Sequence, residues 1–438
     1  MPDLPVDAAL PRRPANWHVR PSFPDDALDG LVRILDEVRL GHARSRGELA
    51  ALTGLGRGVV AERVGQLLDR GLLLEGDLAP STGGRPPRSL HFAEEAGHLL
   101  VADLGATSVD VALTTLGGRL IARRAEPTDV GLGPEPVLRQ VDTLLRGLLE
   151  AVGSAAPGPL WGIGIGVPGP VEFRTGRPVA PPIMPGWNDY PVREHFADRH
   201  GVPVWVDNDV NIMALGEVRA GTAVGHENVV VVKVGTGIGA GIVSEGHLHR
   251  GAQGSAGDVG HIQVSEDPEV VCRCGNRGCL EALAGGAAIA RQGEAAARDG
   301  RSRRLGAVLA ESGRITALDV AREASHGDPV AVDILQAAGH RIGAMLASVV
   351  NFFNPSLIVI GGGVAGSGDH LLASIRETVY RRSLPLATRD LAIRFSSLGE
   401  LAGISGAAAM AADQLFSRDV FARWVEKGSP AGMPGVAA

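Results

Sequence analysis

The chain has 438 residues, of which 45% are hydrophobic and 21% charged, with a formal net charge of −7. That length exceeds what one hydrophobic core organises and implies two or three domains. The negative charge excludes a general polyanion-binding surface, and no apolar run is long enough to span a bilayer. Arginine carries nearly all the positive charge, because Lys233 and Lys427 are the only lysines.

The N-terminus is rich in proline and lacks a basic start followed by an apolar stretch. It does not read as a secretory signal, so a cytoplasmic location is expected, and residues 1–27 read as a flexible arm. In LDGLVRILDEVRL, Leu28, Leu31, Ile34, Leu35 and Val38 recur at helical spacing. SRGELAAL follows, with Ser45 and Glu48 spaced as a capping box. TGLG interrupts it, and RGVVAERVGQLLDR predicts a third helix with Val60, Val64, Leu67 and Leu68 on one face and Gly71 beyond its end. The apolar segments LLLE and SLHF then flank the turn-rich APSTGGRPPR.

Three helices and a hairpin with a Gly/Arg/Pro tip outline a winged helix-turn-helix over residues 28–92, whose tight turn lets the third helix enter a major groove. Arg44, Arg46, Arg57, Arg63, Arg85 and Arg88 fall where phosphates would lie. Val59, Ala61 and Glu62 at the start of helix three offer little for reading base edges. The competing reading is a small interaction domain that binds no DNA. This segment also resembles the DNA-binding half of bacterial repressors of the ROK family (repressor, open reading frame, kinase), with STGGRPP similar to that family's wing.

From residue 97 the pattern changes. VADLGATSVDVAL, WGIGIGVPG, VPVWVDND, NVVVVKVGTGIGAGIV and SLIVIGGGVAG read as buried strands ending in glycine or acid. Helical stretches such as PVLRQVDTLLRGLLEAV and DPVAVDILQAAGHRIGAMLASVV separate them, which predicts an α/β architecture with function at the strand ends. Residues from about 417 read as a frayed tail.

Two strand-turn units are suited to phosphates. Asp103 closes a strand before Gly105, with Thr107 and Ser108 as hydroxyl donors, and Gly235, Thr236, Gly237 and Gly239 leave a second turn bare. Asp103 is suited to hold Mg2+ through water. Gly361, Gly362 and Gly363 end a third strand with room for a flat base. GTGIGAG leads into a strand rather than a helix, the wrong context for a dinucleotide fingerprint. The order of the loops resembles the sugar kinase, heat-shock and actin superfamily, which implies ATP in a cleft between two α/β lobes. In WVDNDVN, Asp209 sits just past a strand as the candidate general base toward a sugar hydroxyl attacking ATP. The competing reading of Asp207–Asn208–Asp209 is a helix cap.

All three cysteines lie in CRCGNRGCLE. With His261 upstream, the spacing His-x10-Cys-x-Cys-x4-Cys supplies Cys272, Cys274, Cys279 and one imidazole, a closed tetrahedral set for structural zinc. Gly275 and Gly278 let the loop wrap back. The same stretch matches, at every fixed position, the Cys-x-Cys-Gly-x-x-Gly-Cys-x-Glu element of the ROK sugar-binding and kinase module, which residues 97–410 resemble. That resemblance implies that His261 binds zinc with one ring nitrogen and faces a sugar hydroxyl with the other. It implies that Asn208, Asp209 and Glu281 hydrogen-bond the sugar, with Asp209 the base in active kinases. NFFNPSLIVIGGGV is similar to the family's nucleotide-side segment and APPIMPGWND to a stretch lining its sugar cleft. Two residues depart from the kinases: Asp258 stands where they carry Glu among the sugar-site residues, and Ala106 replaces a second glycine of the first phosphate loop.

The expected fold is therefore a winged helix-turn-helix (28–92) followed by a two-lobed actin/hexokinase-like (ribonuclease H-like) ATPase domain, 97–416, with lobes of about 97–220 and 221–416 and a tail of 417–438. The expected function is a sugar-responsive transcriptional regulator, a repressor, acting on operator DNA as a homodimer or homotetramer, with structural Zn2+ and no membrane contact. The alternative is an ATP-dependent sugar kinase using Mg2+, ATP and Asp209.

Overall fold

The computed structural model describes residues 27–78, 88–364 and 369–437. The chain divides into two compact units, the first drawn from residues up to Asp69 and from Glu75–His91, the second from Arg70–Leu74 and from Phe92 onward.

The first unit holds α1 (Ala27–Arg39), α2 (Arg46–Thr53) and α3 (Arg57–Asp69), and β1 (Leu73–Leu78) pairs with β2 (Arg88–Phe92). Ile34, Leu35, Leu49, Val60, Val64 and Leu67 are fully buried, so the periodic residues of each helix make one small core. Ser45 Oγ accepts from Glu48 N at 3.3 Å, but the Glu48 carboxylate reaches one residue further back than a capping box requires and accepts from Arg44 N at 2.7 Å. The N-terminal arm, apart from Ala27, and the tip 79–87 with Arg85 lie outside the described residues.

The second unit is built on two five-stranded sheets. In the first lobe the order is β5-β4-β3-β6-β9, from β3 (His98–Leu104), β4 (Ser108–Thr115), β5 (Leu120–Pro127), β6 (Leu160–Val167) and β9 (Val204–Asn208). β3, β6 and β9 run parallel, while β4 and β5 are antiparallel neighbours. A small hairpin, β7 (Val171–Glu172) with β8 (Arg177–Pro178), follows β6. The second lobe repeats the plan as β12-β11-β10-β13-β14, from β10 (Val229–Val234), β11 (Ile238–Ser244), β12 (His247–His249), β13 (Leu357–Gly361) and β14 (Ala392–Phe395). Central strands that read as unbroken Val/Ile/Leu runs are covered on both faces by helices. The amphipathic helix Pro134–Val152 covers the first sheet through Val137, Leu138, Val141 and Leu145, and the long helix Pro329–Phe353 covers the second.

Helices Asp209–Ala220 and Leu401–Leu415 pack against each other, and the latter also lies on β3 and β6. LAGISGAAAMAADQL is rich in Gly and Ala, which permits that close backbone approach and buries the helix nearly all round. The expectation of a frayed end fails: Arg418–Trp424 is helical, and Phe421 and Trp424 are fully buried, with the Trp424 ring 5.2 Å from Trp161 edge-on. Burying large aromatic area outweighs the loss of chain entropy that would favour fraying. Among the described residues no helix is long and apolar enough to cross a membrane.

Candidate functional site

Strand ends of both sheets open onto one cavity of about 1190 Å³. Every residue expected for sugar, nucleotide or base duty lines it: Asp103, Gly105 and Thr107 after β3, Asn208 and Asp209 after β9, Gly235, Thr236, Gly237 and Gly239 between β10 and β11, Asp258, His261, Glu281, and Gly362 and Gly363 after β13. Pro182 and Ile183 of APPIMPGWND line it as well.

WVDNDVN separates into three roles. Asp207 is buried and structural: its Oδ1 accepts from Asn208 N and Asn211 Nδ2, and its Oδ2 accepts from Arg250 Nε at 2.8 Å. Asn208 is the helix cap, accepting from Val210 N at 2.8 Å and Asn211 N at 3.3 Å while its Nδ2 donates to Gly169 O. Its side-chain oxygen is committed to that cap, which leaves chiefly the amide hydrogens for a sugar. Asp209 is the first helical residue, where the macrodipole favours a carboxylate, and it accepts from Lys233 Nζ at 2.8 Å.

Lys233 was not singled out from the sequence, although being one of two lysines was a signal. Its Nζ also lies 3.9 Å from Asp103 Oδ1, an oxygen that has no hydrogen-bond partner. Burial alone would lower the Lys233 pKa, but Asp103 and Asp209 outweigh it and hold the ammonium protonated above the usual lysine range. Burial pushes Asp103 up to about 6, with Lys233 opposing and Asp209 and Asp110 reinforcing the shift. Gly403 is why Asp103 fits: a Cβ there would stand 2.0 Å from Asp103 Oδ2.

Thr107 and Ser108 are exposed at the cavity, and Gly105 N donates to Ser108 O at 2.8 Å, closing the first turn. The second turn is anchored by its carbonyls: Gly286 N donates to Gly235 O and Ala287 N to Thr236 O. Ala106 lines the cavity but also packs against the first lobe's core.

The cysteine loop is held by bridges Gln263–Cys279 and Val271–Arg277. Gly278 has φ +70°, and a Cβ there would stand 1.8 Å from Ser265 O, so this turn requires glycine. The ligand atoms of His261, Cys272, Cys274 and Cys279 all lie within 4.8 Å of one another. Cys274 and Cys279 Sγ are 3.8 Å apart, too far for a disulfide, and Cys272 Sγ is 3.5 Å from His261 Nδ1. A tetrahedron with zinc-like bond lengths has edges of about 3.8 Å for S–S and about 3.5 Å for S–N. Burial pushes the Cys279 thiol up to about 12, with Cys274 and Cys272 adding to it. The donor set therefore fits a zinc ion.

His261 turns its other nitrogen, Nε2, to the cavity, 3.9 Å from Asp258 Oδ1. Cys279 precedes the helix Leu280–Ala284, whose start is tied to the 3-10 turn Val259–His261 by Leu280 N donating to Ile262 O just beyond it. Glu281 projects from that first turn, and Ile238 N donates to its Oε2 at 3.2 Å. One small motif thus sets both an imidazole nitrogen and a carboxylate into the cavity.

In the first unit Arg57 is exposed, and Arg46 and Arg88 both approach Glu75, at 2.8 and 3.8 Å. Arg63 does not join them: its side chain is only 13% exposed and is held by Glu62 and Gln66. Its long stem covers apolar surface beside Gly30 instead of reaching outward.

Comparison with known proteins agrees with this geometry. The family model for the ROK family matches residues 100–414. A putative xylose repressor from Caldicellulosiruptor sp. is 32% identical over 370 residues, covering 84% of this chain and 91% of that one. Among solved structures, a ROK family transcriptional regulator, a homologue of the E. coli MLC protein, superposes with a TM-score of 0.78 at 28% identity over 92% of this chain and all of that one. A ROK family glucokinase from Streptomyces griseus, in complex with glucose and AMPPNP, gives 0.65 at 30% identity, covering 72% and 99%. The chain belongs to the ROK family.

Proposed function

We propose that this chain is a sugar-responsive transcriptional repressor. Residues 28–92 would bind operator DNA and residues 97–416 a sugar. The observation that carries the reading is the joining, in one chain, of a three-helix-and-hairpin unit with a cavity where Asp209, Asp258, His261 and Glu281 converge. Carboxylates and an imidazole nitrogen match the alternating donors of a sugar's hydroxyls. Likeness to the xylose repressor and to the ROK regulator, over more of the chain than the kinase-like part alone, supports it.

His261, Cys272, Cys274 and Cys279 would hold a structural zinc, which fixes the loop carrying His261 and Glu281 and takes no part in chemistry. The protein would act in the cytoplasm as a homodimer or homotetramer, since paired heads read paired half-sites. Arg46, Arg57 and Arg88, with Arg85, would meet the phosphates. The test is fluorescence anisotropy of the protein on DNA from upstream of its own gene, titrated with pentoses and hexoses. A sugar that changes DNA affinity at least tenfold supports the reading, and none doing so refutes it.

A second reading, an ATP-dependent sugar kinase, is favoured by the three glycine turns lining the same cavity as Asp209, and by likeness to the glucokinase crystallised with glucose and AMPPNP. In it the glycine turns would hold ATP and Asp103 a Mg2+ ion that offsets the phosphate charge, and Asp209 would take the hydroxyl proton as the sugar oxygen attacks the γ-phosphorus and ADP leaves. Sugar-dependent ADP release that Asp209→Asn abolishes would establish it.

A further inference from the structure

We propose that Lys233 is a built-in cation standing where a divalent metal ion would otherwise sit between Asp103 and Asp209. Lys233 is the last residue but one of β10, and its neighbours across the sheet are Gly239 on β11 and Gly361 on β13. Neither has a side chain, so the lysine stem has room to lie over the strand ends toward the cavity. Its Nζ reaches Asp209 Oδ2 at 2.8 Å and stands 3.9 Å from the otherwise unpartnered Asp103 Oδ1.

The residue type is itself informative. This chain uses arginine at almost every other cationic position, so the lysine here is an exception to its own composition. A compact ammonium acts as a point charge of the kind a metal ion supplies, whereas a planar guanidinium would need a wider, forked site. Divalent ions in phosphoryl-transfer sites are held by one or two carboxylates completed by phosphates. With Lys233 in place, the carboxylates that would recruit the ion are already partnered.

Asp209 is then kept as an ion-paired acceptor for a sugar hydroxyl instead of a base awaiting a proton. The cleft would take a neutral sugar with no metal-nucleotide beside it. That consequence deepens the sensor reading and rests on it for the sugar, but the cation itself is tested without sugar, nucleotide or DNA.

The test uses the full zinc-loaded chain and Mn2+, whose free form is counted by electron paramagnetic resonance. Mn2+ prefers oxygen ligands and leaves a thiolate-rich zinc cage alone. The wild type is expected to bind no Mn2+ below millimolar concentration. Lys233→Met is expected to gain a site at least tenfold tighter, which a further Asp103→Asn removes, while Lys233→Arg keeps the cation and gains none. If Lys233→Met does not fold, Lys233→Gln, which retains a polar group beside Asp209, carries the same expectation. A merely structural lysine would lower the thermal midpoint on replacement without creating a metal site. The inference is overturned by wild-type Mn2+ binding that Asp103→Asn removes. A folded Lys233→Met or Lys233→Gln variant with no new site, or with one indifferent to Asp103, also overturns it.

Discussion

Removing the zinc proposed for the cysteine cluster tests the most specific part of the site. Replacing Cys279 by Ser, or stripping zinc with a strong chelator, leaves the segment from His261 to Cys279 closed only by its two bridges and a few backbone bonds. The two ends are 18 positions apart (279 − 261), and treating the metal as a cross-link on a loop of that length gives a constraint of about 3 kcal/mol. For a chain of this size, about 2 °C per kcal/mol translates that into a midpoint lowered by roughly 6 °C. The same loss frees His261 and Glu281, so affinity for the sugar should fall by about one charge-assisted hydrogen bond, roughly 10- to 100-fold. Metal analysis gives the stoichiometry, expected at one zinc per chain and none in Cys279→Ser. Differential scanning fluorimetry and titration calorimetry give the two consequences. A protein that carries no zinc as purified, or that loses it with no change in midpoint or sugar affinity, refutes the reasoning.

Asp209→Asn should weaken sugar binding by about 2 kcal/mol, roughly 30-fold by calorimetry, while binding to DNA without sugar is unchanged. Arg57→Ala should reduce the salt slope of DNA binding by about 1, whereas inward-turned Arg63→Ala should leave that slope unaltered; anisotropy at several NaCl concentrations distinguishes them. Asp103 has a folded-state pKa raised to about 6 from 3.8, so its cost is absent below the lower value and grows as pH rises toward 6. Stability of the wild type relative to Asp103→Asn should therefore improve by about 2 kcal/mol between pH 7.5 and pH 4.5, read from urea unfolding at both pH values.

How much was legible depended on whether a residue's partners were near in sequence. The strands β3, β6, β9, β10 and β13 are mostly apolar, with acids or Lys233 only near their C-terminal ends, because both faces are covered, and the helix Pro134–Val152 carries a clear 3.6-residue stripe. The strand LIARRAEP was missed because it is an edge, paired only to β4 and mostly exposed, so it carries charge where a central strand carries valine. The helix LAGISGAAAMAADQL has no polar face to set a period, since it is buried almost all round. The clustering of His261, Cys272, Cys274 and Cys279 was legible because a loop of this kind is a local motif. The capping role of Asn208 was one of two open readings that only hydrogen bonds decide. Lys233 belongs to no motif, and its partners lie far away in the chain.

Asp258, Ala106 and Lys233 all line the one cavity. Asp258 is one methylene shorter than the glutamate it replaces, and its carboxylate stops 3.9 Å from His261 Nε2, short of a hydrogen bond. That opening leaves the imidazole nitrogen free for a ligand hydroxyl to bridge to the acid. Ala106, at the turn where the kinase resemblance implies a second glycine, packs against the first lobe's core. On the cation proposal, Lys233 would neutralise Asp103 and Asp209, the acids a metal-nucleotide would use. On the sensor proposal, a cleft with these three features would keep Asn208, Asp209, His261 and Glu281 for a sugar and weaken the groups that would act on it. A repressor gains from that combination, because a ligand consumed on binding would erase the signal, and only differential affinity for two states can shift the DNA-binding equilibrium.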